Sequence, residues 1–89
     1  MAGITIYTTS TCPYCTRAKA LLASKGVNYS EIDVGVDSAL RAEMTRRAGG
    51  RRTVPQIFFG SRHVGGCDDL VALARSGELD RLLGVGAAG

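Results

Sequence analysis

The stretch Ile4-Thr5-Ile6-Tyr7-Thr8-Thr9-Ser10-Thr11-Cys12-Pro13-Tyr14-Cys15-Thr16-Arg17-Ala18-Lys19 decides how the chain is read. Ile4 to Tyr7 reads as a strand, with Ile4 and Ile6 on one face. Thr16 to Ala23 continues as a helix, so two thiols three positions apart fall where a strand gives way to a helix start. The free N–H groups and the positive end of a helix favour an anion at that place. A thiolate there is stabilised and becomes a usable nucleophile. Pro13 fits the first helical turn, where its missing N–H costs nothing. Cys12 is therefore read as the attacking sulfur, and Cys15, in the first turn and less exposed, as the resolving one.

Two other uses of a C-x-x-C pair are weaker. A zinc site needs further ligands, and only Cys67 and His63 remain as thiol or imidazole, not arranged as a second knuckle. A structural disulfide across so short a loop removes little chain entropy and would stabilise little. A redox dithiol is the better reading.

At 89 residues the chain makes one domain, 1–89, with a modest core. Three cysteines, two of them in the C-x-x-C, point to a reducing compartment rather than a disulfide framework. Met1 to Thr5 has no basic segment and no long apolar run, so neither a secretory signal nor a membrane span is expected and the location is read as cytoplasmic. The apolar content of 45 % is ordinary for a folded domain, and the net charge of +3 is local rather than spread out.

Beyond the first strand, a helix runs from Pro13 or Tyr14 to about Lys25 and stops at Gly26. Tyr29 to Val34 is a second strand, with Ile32 and Val34 alternating against Glu31 and Asp33. These three elements make a parallel βαβ unit. Asp37 or Ser38 caps a second helix to about Ala48, with Leu40, Met44 and Ala48 on its buried face. Gly49 to Thr53 is a loop, Gln56 to Phe59 a strand, Gly60-Ser61 a turn, and Arg62 to Val64 a short return strand. A third helix opens at Cys67 or Asp68, buries Leu70, Leu73 and Ala74, and stops at Gly77. Glu78 to Leu83 adds a turn or two, and residues 84–89 form a flexible tail. The order β-α-β-α-β-β-α, with helices on both faces of a mixed sheet, is the thioredoxin-like α/β arrangement.

Two more stretches carry chemistry. Pro55 in Thr53-Val54-Pro55 precedes a central strand, where proline is awkward. A cis peptide would explain it and leave the Val54 N–H and C=O free to pair with an extended peptide, while a plain strand-initiating proline stands as the alternative. In Gly65-Gly66-Cys67-Asp68-Asp69 two glycines allow close backbone approach, and the helix start that follows suits a carboxylate ligand. Asp68 is either the helix cap or the acceptor for a ligand ammonium. Cys67 is either a small buried filler or a third reactive thiol. Arg41, Arg46, Arg47, Arg51 and Arg52 cluster around the second helix and the loop after it. They read as a solvated face or as capture of an anionic peptide. A nucleic-acid surface is disfavoured, because the chain has only five aromatic residues and none interleave with the arginines. His63 reads as a surface strand residue, and nothing places it as a base for Cys12.

T-C-P-Y-C, T-V-P-Q-I-F and G-G-C-D-D-L at these separations together resemble a bacterial dithiol glutaredoxin, from about Ile4 to Leu83. The resemblance implies a four-stranded sheet of order 2-1-3-4. It implies reduction of protein disulfides and glutathione mixed disulfides, glutathione and a glutathione reductase system restoring the enzyme. It implies that Cys12 carries glutathione in the intermediate and Cys15 resolves protein disulfides. Tyr14 would flank the glutathione, Thr53 and Val54, held by a cis Pro55, would pair with its cysteinyl part, and Gly66, Cys67 and Asp68 would receive the γ-glutamyl end. It further implies a monomer with no tightly bound cofactor and no metal. One departure stands out. Thr9 occupies the place where many relatives have a lysine for the glycyl carboxylate, so Arg41 and Arg52 are the candidate replacements, and the loop Gly49-Gly50-Arg51-Arg52 is a residue longer than in some relatives. Two alternatives remain. One is a [2Fe–2S]-bridged dimer, whose known members usually lack the proline after the first cysteine. The other is a redoxin coupled to thioredoxin reductase, against which the G-G-C-D-D stretch argues.

Overall fold

The computed structural model describes residues 3–84. Its elements run β1 (Ile4–Thr8), α1 (Pro13–Ser24), β2 (Ser30–Asp33), α2 (Ser38–Arg47), β3 (Gln56–Phe59), β4 (Arg62–Gly65), α3 (Cys67–Ser76) and α4 (Glu78–Leu83). The expected flexible tail lies, from residue 85 on, outside the described residues.

The four strands form one mixed sheet of order β2-β1-β3-β4. β1 pairs parallel with β2, Thr5 opposite Ser30, and antiparallel with β3, Ile6 opposite Ile57. β3 pairs antiparallel with β4 through a register shift, since Ile57 faces Gly65 while Phe58 faces His63. One extra residue, Val64, therefore lies on the β4 side, which is a bulge.

The central strand β1 is buried on both faces, because alternate side chains enter two different cores. Ile4 and Ile6 join Ala18, Leu22, Ile57, Leu70, Leu79 and Leu83 beneath α1, α3 and α4. Tyr7 joins Val34, Met44, Ala48 and Phe58 beneath α2. The Tyr7 and Phe58 rings meet edge to face at 5.7 Å, and the Arg47 guanidinium lies 4.4 Å from the Phe58 centroid while donating to the Tyr7 hydroxyl at 2.6 Å. A cation over an aromatic face, half desolvated, closes this second core more cheaply than an exposed charge would.

Two expectations need correction here. Leu40 is 36 % exposed rather than buried. Met44 is the buried residue of α2 and Ala48, its C-cap, is buried with it, while the turn that carries Leu40 is exposed. His63 is not a plain surface residue: its ring is half-buried and stacks on Phe58 at 4.8 Å and 25°. Its register partner on β3 is Phe58, which puts both side chains on the same face.

Candidate active site

The site forms where α1 and α3 begin, beside the loop that enters β3. Cys12 is the N-cap of α1, in extended conformation, with Pro13 as the first helical residue. Its sulfur accepts the Cys15 N–H at 3.2 Å, taking up one of the donors that a helix start leaves without a partner. The Cys12 thiol also lies 3.7 Å from the Val54 carbonyl oxygen, to which it donates. Sulfur as a helix cap is the arrangement in which a thiolate gains most from aligned N–H groups. Tyr14, the next residue but one, is 55 % exposed.

Cys15 lies one turn into the helix and is 1 % exposed. Burial, then the neighbouring Cys12 thiol, push its pKa up to about 12. Cys15 therefore keeps its proton at neutral pH in the reduced protein, which separates the two thiols by role: one accessible, one held back. Cys67 is also buried, and burial pushes its thiol up as well. All three cysteines are reduced in this structure.

A groove opens next to the dithiol, lined by Tyr14, Arg51, Thr53, Val54, Pro55, Gly66, Cys67, Asp68 and Asp69. The Val54–Pro55 peptide is cis. The structure thus brings to one groove seven of the residues singled out from sequence: Tyr14, Thr53, Val54, Pro55, Gly66, Cys67 and Asp68. Arg41 and Arg52 lie elsewhere, lining a separate depression with Ser38, Ala42, Thr45 and Arg46. There the Arg41 guanidinium donates to the Arg52 carbonyl at 2.9 Å.

The start of α3 corrects a further expectation. Gly66 is the N-cap, and the acceptor for its N–H is Asp69, at 2.8 Å, not Asp68. Asp69 stands three residues past the cap, the position from which a side chain reaches back to the cap N–H. The same carboxylate oxygen takes a charged hydrogen bond from Arg51 at 3.3 Å. The Gly66 N–H first, and Arg51 after it, hold the Asp69 carboxyl below the usual carboxylate range, against burial. Gly65 makes room for this: its φ is +123°, and a Cβ there would run into the Asp69 carboxylate. Asp68, relieved of capping, lines the groove. Asp69 was missed as a site residue, and Arg51 was singled out only as one of the clustered arginines; the signal for Asp69 was its acidic side chain three places after a glycine that opens a helix.

A dithiol at a helix start, beside a cis-proline loop and on a sheet of order 2-1-3-4, defines a thioredoxin-like thiol–disulfide oxidoreductase. The glutaredoxin family profile matches residues 4–64. Glutaredoxin 3 of Escherichia coli strain K12 is 58 % identical over 83 residues, covering 93 % of this chain and 99 % of that protein. The solution structure of a glutaredoxin from Brucella melitensis superposes with a TM-score of 0.82 at 60 % identity, over 93 % of this chain and 89 % of that one. A crystal structure of a buckwheat glutaredoxin–glutathione complex superposes with a TM-score of 0.82 at 32 % identity, over 91 % of this chain and 76 % of that one. The chain belongs to the glutaredoxin family and is a glutathione-dependent thiol–disulfide oxidoreductase. Among the described residues no helix is long and apolar enough to cross a membrane.

Proposed function

We propose that Cys12 attacks glutathionylated proteins at the glutathione sulfur, with the groove beside it as the glutathione site. The observation that carries this reading is the Cys12 sulfur capping α1 at 3.2 Å from the Cys15 N–H, next to a groove lined by Thr53, Val54 and Asp68. The Cys12 thiolate forms a new S–S bond to glutathione, and the client leaves as a thiolate that takes a proton from water. A second glutathione thiolate then attacks the sulfur of the bound glutathione. Cys12 departs as the thiolate, and glutathione disulfide is released.

On a protein disulfide the first attack leaves the client bonded to Cys12. Cys15 gives up its proton and attacks the Cys12 sulfur, expelling the reduced client and leaving a Cys12–Cys15 disulfide. Two glutathiones reduce that bond.

In the groove, the extended Thr53–Val54 main chain pairs with the cysteinyl part of glutathione. The Cys67 N–H at the start of α3 takes the γ-glutamyl carboxylate, the Gly66 N–H being held by Asp69, and Asp68 takes its ammonium. Tyr14 covers one side and Pro55 lies below. Arg51 in the groove supplies the charge for the glycyl carboxylate in place of the lysine replaced by Thr9, with Arg41 and Arg52, in their separate depression, as the other candidates. Glutathione is a co-substrate, and no resident cofactor is needed. Pro13 favours this reading over a cluster-bridged dimer. The enzyme works as a cytoplasmic monomer in a single domain, with disulfide-bonded or glutathionylated proteins as clients and glutathione reductase as its source of reducing power.

The test is reduction of a glutathione mixed disulfide coupled to glutathione reductase. Wild type turns over and Cys12→Ser does not. Appreciable turnover by Cys12→Ser would overturn the assignment.

A further inference from the structure

Gln56 is a polar side chain with 0 % exposure on a sheet face otherwise built from Tyr7 and Phe58. A buried amide is costly unless both its ends are satisfied. Both ends of Gln56 are. Its Nε2 donates to the Thr53 carbonyl at 3.0 Å and to the Thr53 hydroxyl at 3.1 Å. Its Oε1 lies 2.6 Å from His63 Nε2. A carbonyl oxygen only accepts, so the imidazole must carry its proton on Nε2 and donate. Protonating the ring adds a proton at Nδ1 and leaves that donor in place.

The direction of this chain of bonds is informative. His63 is anchored by its stack on Phe58. From that anchor the bonds run through Gln56 back across Val54–Pro55 to Thr53, the residue that opens the groove wall. An apolar side chain of the same size would fill the space as well. The amide does something more: it holds the Thr53 carbonyl turned toward the core, while the next carbonyl, that of Val54, meets the Cys12 thiol at 3.7 Å.

We propose that Gln56, braced by His63, is a positioning residue that fixes Thr53 and so presents the Thr53–Val54 main chain to the substrate. The proposal rests on the reading of that main chain as the binding edge for glutathione. Gln56 touches neither substrate nor reacting sulfur; it acts through Thr53.

Gln56→Met keeps length and removes both donors. His63→Phe keeps the stack on Phe58 and removes only the donor to Gln56. Two measurements decide: steady-state kinetics with a glutathionylated peptide, and NMR order parameters of the backbone amides of the free protein. Gln56→Met is expected to raise KM about fivefold to tenfold with kcat within twofold, equivalent to about 1 to 1.4 kcal/mol of binding. Order parameters at Thr53 and Val54 are expected to fall from the rigid range near about 0.85 toward the flexible range below about 0.6, with Ile57 and Phe58 unchanged. His63→Phe should move both readouts in the same direction by less. Unchanged KM and unchanged order parameters at Thr53 and Val54 in a folded variant would overturn the proposal, as would a loss of kcat at constant KM. If Gln56→Met does not fold, His63→Phe decides on the same readouts. Should wild type itself fail to turn over the peptide, the reading of the groove falls, and the order parameters of the free protein still decide whether Gln56 orders Thr53.

Discussion

Replacing Asp69 by alanine separates helix capping at the start of α3 from the ligand recognition proposed for its neighbour Asp68. Asp69→Ala removes the 2.8 Å bond to the Gly66 N–H and the 3.3 Å charged bond from Arg51. Loss of a cap side chain costs about 0.5–2 kcal/mol. The Arg51 pair adds little, because both side chains are 48 % exposed and exposed pairs are worth about 0–1 kcal/mol. A net loss of about 1 kcal/mol lowers the melting temperature of a domain this size by about 4–8 °C. Asp68→Ala removes no cap bond and should leave the melting temperature within about 2 °C, since substitutions away from such features are worth about 0.5 kcal/mol or less. Its effect should fall instead on KM for glutathionylated substrate. The gap between wild type and Asp69→Ala also depends on pH. The Asp69 carboxyl is held below its ordinary value in the folded state, chiefly by the Gly66 N–H. Its contribution is therefore complete above the unfolded value near pH 4 and fades as pH falls through the lowered folded value. Thermal melts followed by circular dichroism at pH 7, 5 and 3 measure all of this. The reasoning is refuted if Asp68→Ala melts as low as Asp69→Ala, or if the Asp69→Ala gap widens in acid.

Alkylation of the reduced native protein at neutral pH should modify Cys12 quickly, with Cys15 and Cys67 following only on unfolding, because both are buried and pushed up. Peptide mapping after brief iodoacetamide treatment reads this directly. Cys15→Ser should keep reduction of glutathione mixed disulfides and lose reduction of protein disulfides that need internal resolution. Assaying both substrates side by side checks it, and equal loss of both would contradict the division of roles. Arg51→Ala should raise KM for a glutathionylated peptide about twofold to tenfold, the lower end of a charged hydrogen bond discounted for exposure. Arg41→Ala and Arg52→Ala, measured beside it across salt concentrations, locate the carboxylate: a KM change confined to those two would move it to the separate depression that they line.

The sequence already displayed most of the frame, and the reason differs from place to place. Strand–C-x-x-C–helix is a local pattern, so Cys12 as a cap and Pro13 as the first helical residue could be read from spacing alone. The groove needed two further, distant motifs, and these were legible because each has its own backbone signature: a proline before a strand, and two glycines before a helix. What stayed hidden depends on which of several equivalent side chains wins a contact. Asp68 and Asp69 are neighbours of the same type, and only the geometry at Gly65 shows which one reaches back to the cap. Arg51 and Arg52 are likewise adjacent and identical, yet they line different depressions. Leu40 fitted the helical period of a buried face, but periodicity does not say which turns of the helix are covered. His63 and Gln56 meet across a bulge, and a single extra residue in a short strand leaves no mark in the hydrophobic pattern.

The polar partners of the Cys12 sulfur are the Cys15 amide and the Val54 carbonyl, both of them main chain. Every amino acid but proline brings the same amide, and every one brings the same carbonyl. The reactive thiol is thus held by the path of the main chain rather than by particular side chains. Such a centre can be handed from one clientele to another by exchanging the rim of the groove, its chemistry carried along untouched.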